Sequence, residues 1–298
     1  MDANSPRRMF GPNLRDIVPR VSHGDGGAPP TMRFVLNQGS PVMKIRQIRN
    51  ATLVIEYGGK RFLTDPWFAP KDSFPGFEGT PNSHLWNPTV DLPVPIAELT
   101  DVDAVILTHV HPDHWDDVAA SALRKDIPFF VQHFGDREIV RAAGFTDVQV
   151  LTGNPEFDGV KLIKTPGQHG SDDCVQAIYD LLGEVCGVVL KHAQEKTLYL
   201  AGDTVYNDFV AANLRTFEPG VVVMNCCDAQ VTGLGSIIMN KEHVAEVYRA
   251  APKAMLVASH MEAVNHATLT RAALREFLGT NHMLDRVLVP EDGETCAL

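Results

Sequence analysis

No apolar run in these 298 residues is long enough to cross a membrane as a helix. Positive charge is also scarce: 26 Lys and Arg stand against 37 Asp and Glu, a formal net charge of −11. The first shortage argues against a membrane protein. The second argues against a nucleic-acid binder, whose phosphate contacts need Lys and Arg. Cysteines are few and odd in number, at 174, 186, 226, 227 and 296. They suggest no disulfide framework, so a reducing cytoplasm is the expected compartment. Ser5-Pro6-Arg7-Arg8 carries an arginine pair, but Arg15, Asp16 and Arg20 stand where an export signal needs apolar residues.

Residues 1–42 lack a clear apolar period and contain the breaker cluster Gly24-Asp25-Gly26-Gly27-Ala28-Pro29-Pro30. They are expected to form a flexible extension, leaving one domain over 43–298. Strand-like runs at 42–48, 52–57 and 60–65 open that domain, the last two joined by Gly58-Gly59. Residues 69–100 are rich in Pro and Gly and predict a long ordered loop lining a site. Further strands are expected at 104–108, 127–131, 147–151, 160–164, 185–191, 197–201, 220–225, 254–259 and 286–289. Helices are expected at 114–124, 135–143, 207–216, 241–250 and 268–278. Strand-rich halves with interspersed helices predict an α/β fold of two sheets between helix layers.

The chemistry concentrates in Thr108-His109-Val110-His111-Pro112-Asp113-His114-Trp115. Residues two apart on an extended segment share a face, so His109 and His111 can ligate one ion together. Pro112 turns the chain, and Asp113 and His114 then project differently and can ligate a second. Other strand ends supply His169 (in Thr165-Pro166-Gly167-Gln168-His169-Gly170), Asp203 (in Ala201-Gly202-Asp203-Thr204) and His260 (in Ser259-His260-Met261-Glu262). Side chains from several strand ends converge on one rim of a sheet.

This order, His-x-His-x-Asp-His, then His, then Asp after Ala-Gly, then His after a buried strand, resembles the metallo-β-lactamase superfamily. Ala51 to Pro66 resembles its opening hairpin, and the likeness runs from about residue 43 to the end. It implies a four-layer αββα sandwich. Gly167-Gln168-His169-Gly170, Ala201-Gly202-Asp203-Thr204, the stretch His260 to His266, and Asp292-Gly293-Glu294-Thr295 are similar to the metal-dependent hydrolase branch containing L-ascorbate-6-phosphate lactonase. Many members of that branch have Gly-His where this chain has Arg49-Asn50.

The resemblance implies two adjacent divalent ions. His109, His111 and His169 would hold the first, Asp113, His114 and His260 the second, and Asp203 would bridge them. Zinc is the first expectation, with Mn2+ or Fe2+ as alternatives. It also gives Asp113 a second role as the catalytic proton acceptor; the plainer reading keeps it a ligand only. The expected reaction is attack by a metal-activated hydroxide on a small ester, lactone or phosphoester. An iron-dependent oxidoreductase of the sulfur dioxygenase type is the alternative on the same scaffold. Asn265 and His266 are expected to contact the substrate, or else to cap the helix starting near Thr268, and Trp67, Trp115 and His84 to wall the pocket. Cys226 and Cys227 are extra ligands or, more simply, small core residues. The partner is a small molecule, with self-association into a homo-oligomer also expected.

Overall fold

The structure, a computed structural model, describes residues 43–298. The expected extension over 1–42 lies outside the described residues. Lys44–Arg49 (β1), Thr52–Tyr57 (β2) and Lys60–Thr64 (β3) form an antiparallel meander. Gly58 and Gly59, at φ 60° and 75°, close the β2–β3 hairpin, whose two-residue turn needs positive φ at both positions. Ala104–Leu107 (β4), Phe129–Val131 (β5) and Val148–Val150 (β6) extend this sheet in parallel, linked through helices Asp117–Ala122 (α1) and Phe134–Ala142 (α2).

The second sheet contains Glu156–Phe157 (β7), Val160–Pro166 (β8), Cys186–Lys191 (β9), Leu198–Leu200 (β10) and Val221–Asn225 (β11). A small hairpin, Gln230–Val231 (β12) with Gly235–Ser236 (β13), precedes its last strands, Met255–Ser259 (β14) and Val287–Leu288 (β15). Helices Asp172–Leu182 (α3), Asp208–Phe217 (α4), Lys241–Ala250 (α5) and Arg271–Thr280 (α6) connect them, and Thr295–Ala297 (β16) returns to pair with β1. The strand orders are β16-β1-β2-β3-β4-β5-β6 and β15-β14-β11-β10-β9-β8-β7.

Period-two alternation sorts the side chains into layers. In β4, Ala104 and Ile106 face inward and pack with Val188, Leu190, Leu200 and Val223 of the opposite sheet. Val105 and Leu107 face outward onto Ala119 and Ala120 of α1 and Val140 of α2. In β11, Val221 and Val223 face the first sheet, whereas Val222 and Met224 pack under α4, α5 and α6 through Leu214, Val244 and Leu274. The result is α, β, β, α, as expected. Each fully buried Val, Leu, Ile or Phe contributes roughly 1.5–3 kcal/mol.

Two local expectations change. The helix expected over 114–124 starts only at Asp117, because the amides of His114 and Trp115 both donate to His111 O (2.9 and 3.0 Å) and close a separate turn. Asp116 then caps α1 by accepting from Ala119 N. Helix α3 had no counterpart in the sequence reading. Ser171 caps it, and Ile178 leaves helical geometry at φ −138°.

Candidate metal centre

Strand β4 is wholly buried and delivers the histidine cluster to the rim. Thr108, just beyond it, is fixed to Asp65 at the end of β3: its amide donates to Asp65 Oδ1 (2.7 Å) and its hydroxyl to Asp65 Oδ2 (2.8 Å). His109 and His111 then turn to one another, His109 Nε2 to His111 Nδ1 at 3.0 Å. Past the Pro112 turn, Asp113 and His114 meet His260. His260 Nε2 lies 3.2 Å from both Asp113 Oδ2 and His114 Nε2.

Asp203 follows β10 by way of Gly202, whose φ is 71°. A Cβ there would meet the Cys186 carbonyl oxygen, so only glycine lets the chain pass. Asp203 Oδ1 accepts from Asn225 Nδ2 at 2.7 Å. Its Oδ2 faces four imidazoles, at 3.2 Å from His114 Nε2, 3.7 Å from His260 Nε2, 3.8 Å from His169 Nε2 and 3.9 Å from His109 Nε2. Three donor sets result: His109, His111 and His169; His109, His114 and Asp203; Asp113, His114 and His260. Ligands on a tetrahedral zinc with bonds of about 2.0–2.1 Å sit about 3.3 Å apart, so this spacing fits such ions.

The nitrogens facing away are held by four different groups. His109 Nδ1 meets Thr108 Oγ1 at 3.0 Å, His169 Nδ1 meets Ile237 O at 2.8 Å, and His260 Nδ1 meets Cys227 Sγ at 3.5 Å. His114 Nδ1 lies 3.1 Å from Asp65 Oδ2, an ionic contact rather than an aligned hydrogen bond. Such outer contacts set ring orientation and tautomer.

Electrostatics divide the cluster. Burial, aided by His114 and His111, holds His109 well below the ordinary histidine range, and burial with His169 pushes His111 down to about 4. Burial opposes protonation of His114 too, but Asp203, Asp113 and Asp65 raise it well above that range. His260 is likewise raised against burial by Asp203. Against the same burial, His114 and His260 keep Asp113 and Asp203 well below the usual carboxylate range. The raised His114 and His260 thus stand against the ionised Asp113 and Asp203 in a largely buried cluster. Divalent ions with neutral imidazoles satisfy the same donors.

Residues 60–261 match the family model described as Beta-lactamase superfamily domain. The UPF0173 protein YddR of Bacillus subtilis (strain 168) is 47% identical over 254 residues, 85% of this chain and 99% of the relative. The chain belongs to the UPF0173 metal-dependent hydrolase family of the beta-lactamase superfamily. Two solved structures are similar to it over 86% of its length. One is an isothiocyanate hydrolase from Delia radicum gut bacteria, with TM-score 0.83, 47% identity and 99% of that chain covered. The other is a possible metal-dependent hydrolase from Veillonella parvula DSM 2008, with TM-score 0.85, 41% identity and 100% of that chain covered.

In this UPF0173 hydrolase the remaining expected site residues separate. His266 is 7% exposed, and its buried Nδ1 has no hydrogen-bond partner among the described residues. Burial pushes its pKa down to about 4, and its ring packs edge-on against Phe77 at 5.1 Å. Asn265 is instead a fastener, a correction to its expected substrate contact. Its Oδ1 accepts from Phe77 N and Asn87 Nδ2 (3.0 Å each), and its Nδ2 donates to Thr80 Oγ1 and Pro81 O (2.9 and 2.8 Å). No polar atom of that amide is left for a substrate, and the 69–100 loop is strapped to the rim. Neither residue caps α6, whose N-cap is Thr270.

Trp67, expected in the pocket wall, has no exposed surface and lies in the core beneath the Arg49 guanidinium (4.7 Å). Trp115 is likewise turned away, packing on Phe129 and Phe145 in the outer layer. His84 is exposed on the loop. Cys226 is a core residue, its thiol pushed up to about 12 by burial, and Cys227 sits behind His260. The sequence reading missed Asp65, Asn50 and Asn225 as site residues: each is a lone polar residue at a strand end, without motif spacing. A cleft of about 670 Å³ adjoins His169, with Val175 and Tyr179 of α3 and Phe209 of α4 on its walls.

Proposed function

We propose that this hydrolase holds two divalent ions, His109, His111 and His169 on the first, Asp113, His114 and His260 on the second, and Asp203 between them. The observation that carries this reading is Asp203 Oδ2, one oxygen facing ring nitrogens from both sets at 3.2–3.9 Å. Bound divalent ions would supply Lewis acidity and a water of lowered pKa. Zinc remains the first choice for imidazole and carboxylate donors, with manganese and iron as rivals.

The substrate class we favour is an isothiocyanate, after the activity named for the relative that matches this chain at 47% identity. Its central carbon is an electrophile, as is an ester or lactone carbonyl. The balanced reaction is R–N=C=S + H2O → R–NH2 + COS. A C–O bond forms from water, the C–N bond breaks, and both water protons finish on nitrogen. His266 is neutral at pH 7 and offers one donor and one acceptor to that exchange. Asp113, ionised and hydrogen-bonded by Asn50, acts as a ligand; a second role as proton acceptor is the less economical reading. The cleft beside His169 gives room for the organic group.

Of the motifs behind the lactone resemblance, some carry the ligands His169, Asp203 and His260, which say nothing of the substrate, and others do scaffolding. Glu262 and Asp292 both bind the buried Arg271, joining the His260 loop to the C-terminal segment. Elemental analysis of purified protein, with a panel of isothiocyanates, lactones, esters and phosphodiesters, tests the proposal. Zinc or manganese with amine and carbonyl sulfide release supports it. Iron with oxygen uptake would favour the oxidoreductase, and no turnover on the whole panel by metal-replete protein would sink the hydrolytic reading of the site.

A further inference from the structure

Arg49-Asn50 stands where the resembling branch often has Gly-His, and the structure gives Asn50 a specific place. It sits in the β1–β2 turn with φ 55°, a left-handed conformation that asparagine tolerates better than most residues. It is 0% exposed. Its main-chain oxygen accepts from His260 N (2.9 Å), Gln47 Nε2 (2.8 Å) and Ser259 Oγ (3.2 Å). That end of the residue is pinned to the segment delivering His260.

The side chain reaches the other way. Asn50 Nδ2 lies 3.0 Å from Asp113 O, 3.0 Å from Asp113 Oδ2 and 3.1 Å from His260 Nε2. Both Asp113 atoms are acceptors, so the amide must present nitrogen, not oxygen, to them. Oδ1 is then buried with no donor among the described residues. The amide has two protons for Asp113 O and Oδ2, while the third contact, His260 Nε2, changes role with the state of its ring. When a cation takes the lone pair of His260 Nε2, the count closes, with both N–H groups on Asp113.

We propose that Asn50 is the positioning residue of the second ion site. It fixes one ligand, His260, through its main chain and a second, Asp113, through its side chain, and so sets the 3.2 Å spacing of Asp113 Oδ2 and His260 Nε2. Among the described residues Asn50 makes no hydrogen bond to His111 or His169, so its effect is confined to one of the two sites. This inference rests on the two-ion reading above.

The test loads metal-free protein with zinc and titrates it against a competing chelator, counting ions per chain. Wild type is compared with Asn50→Gly, which accepts the φ 55° backbone while removing the amide, and Asn50→Ser, which keeps a polar side chain too short to reach Asp113. Both variants should hold the first ion as wild type does and the second about 10- to 100-fold more weakly. Thermal melts of the metal-free proteins check folding, and if Asn50→Gly does not fold, Asn50→Ser decides. Wild-type affinity for both ions, or equal weakening of both, overturns the proposal. A wild type that binds fewer than two zinc ions overturns the two-ion reading instead.

Discussion

Asp65 Oδ2 lies 3.1 Å from Nδ1 of His114, while Asp65 Oδ1 takes the Thr108 amide at 2.7 Å. One carboxylate at the end of β3 thus joins the backbone before the histidine cluster to the far side of a ligand ring. Replacing it leaves the ligands themselves intact. Asp65→Asn should weaken zinc binding by about 10- to 100-fold, the usual effect of losing an outer partner. Chelator competition measures this, and unchanged affinity would remove Asp65 from the site.

His111 shares a candidate donor set with His109 and His169 and, among the described residues, is held by no group besides the cluster. His111→Ala should abolish turnover and lower the metal content per chain, read by elemental analysis. Full activity with unchanged metal would end the ligand assignment.

Burial holds His266 at about 4, against about 6.5 in an unfolded chain. With the folded value depressed, the unfolded state takes the proton first. The stability this residue allows is present above pH 6.5 and is lost as pH falls toward 4, by about 3 kcal/mol in all. In metal-free protein, His266→Gln should flatten that part of the pH dependence of the melting temperature. A variant with the same slope as wild type contradicts the buried, neutral assignment.

Asn265 satisfies Phe77 N, Asn87 Nδ2 and Pro81 O at once. Asn265→Ala strands these groups, at about 1–3 kcal/mol for each one left buried and unpaired. The expected outcome is a lower denaturation midpoint and faster proteolysis within 70–89. A variant of wild-type stability with only a raised KM would restore the substrate-contact role.

Tyr179 lies half-exposed beside the cleft that adjoins His169. Tyr179→Ala should raise KM for a benzyl isothiocyanate several-fold more than for a methyl one, since an aromatic contact is worth roughly 0.5–1.5 kcal/mol. Metal content should not move. Equal effects on both substrates would place the organic group elsewhere.

Much of the site was legible in advance because its residues are chemically unusual and regularly spaced. Three imidazoles and a carboxylate within 109–114 signal a cation by density alone. His169, Asp203 and His260 were found because each follows a buried apolar strand. Trp67 and Trp115 were misplaced for the converse reason: position in a loop near the cluster does not tell which way a ring points. Trp67 turns under Arg49 and Trp115 onto Phe129. Helix α3 had a legible start, with Ser171 as cap and Asp172 and Asp173 in its first turn, that the sequence reading passed over.

The chain by itself determined the layers and the candidate donors, since alternation in β4 and β11 and the histidine spacing are local properties. Only the tertiary structure decided which polar residues hold those donors. Asn50 is 63 residues from Asp113 and 210 from His260, and Asp65 is 43 from Thr108. Contacts across such distances arise when strands such as β3 and β4 pair within a sheet and when the two sheets pack, as at Asn50 and His260, and no periodicity in the sequence records them.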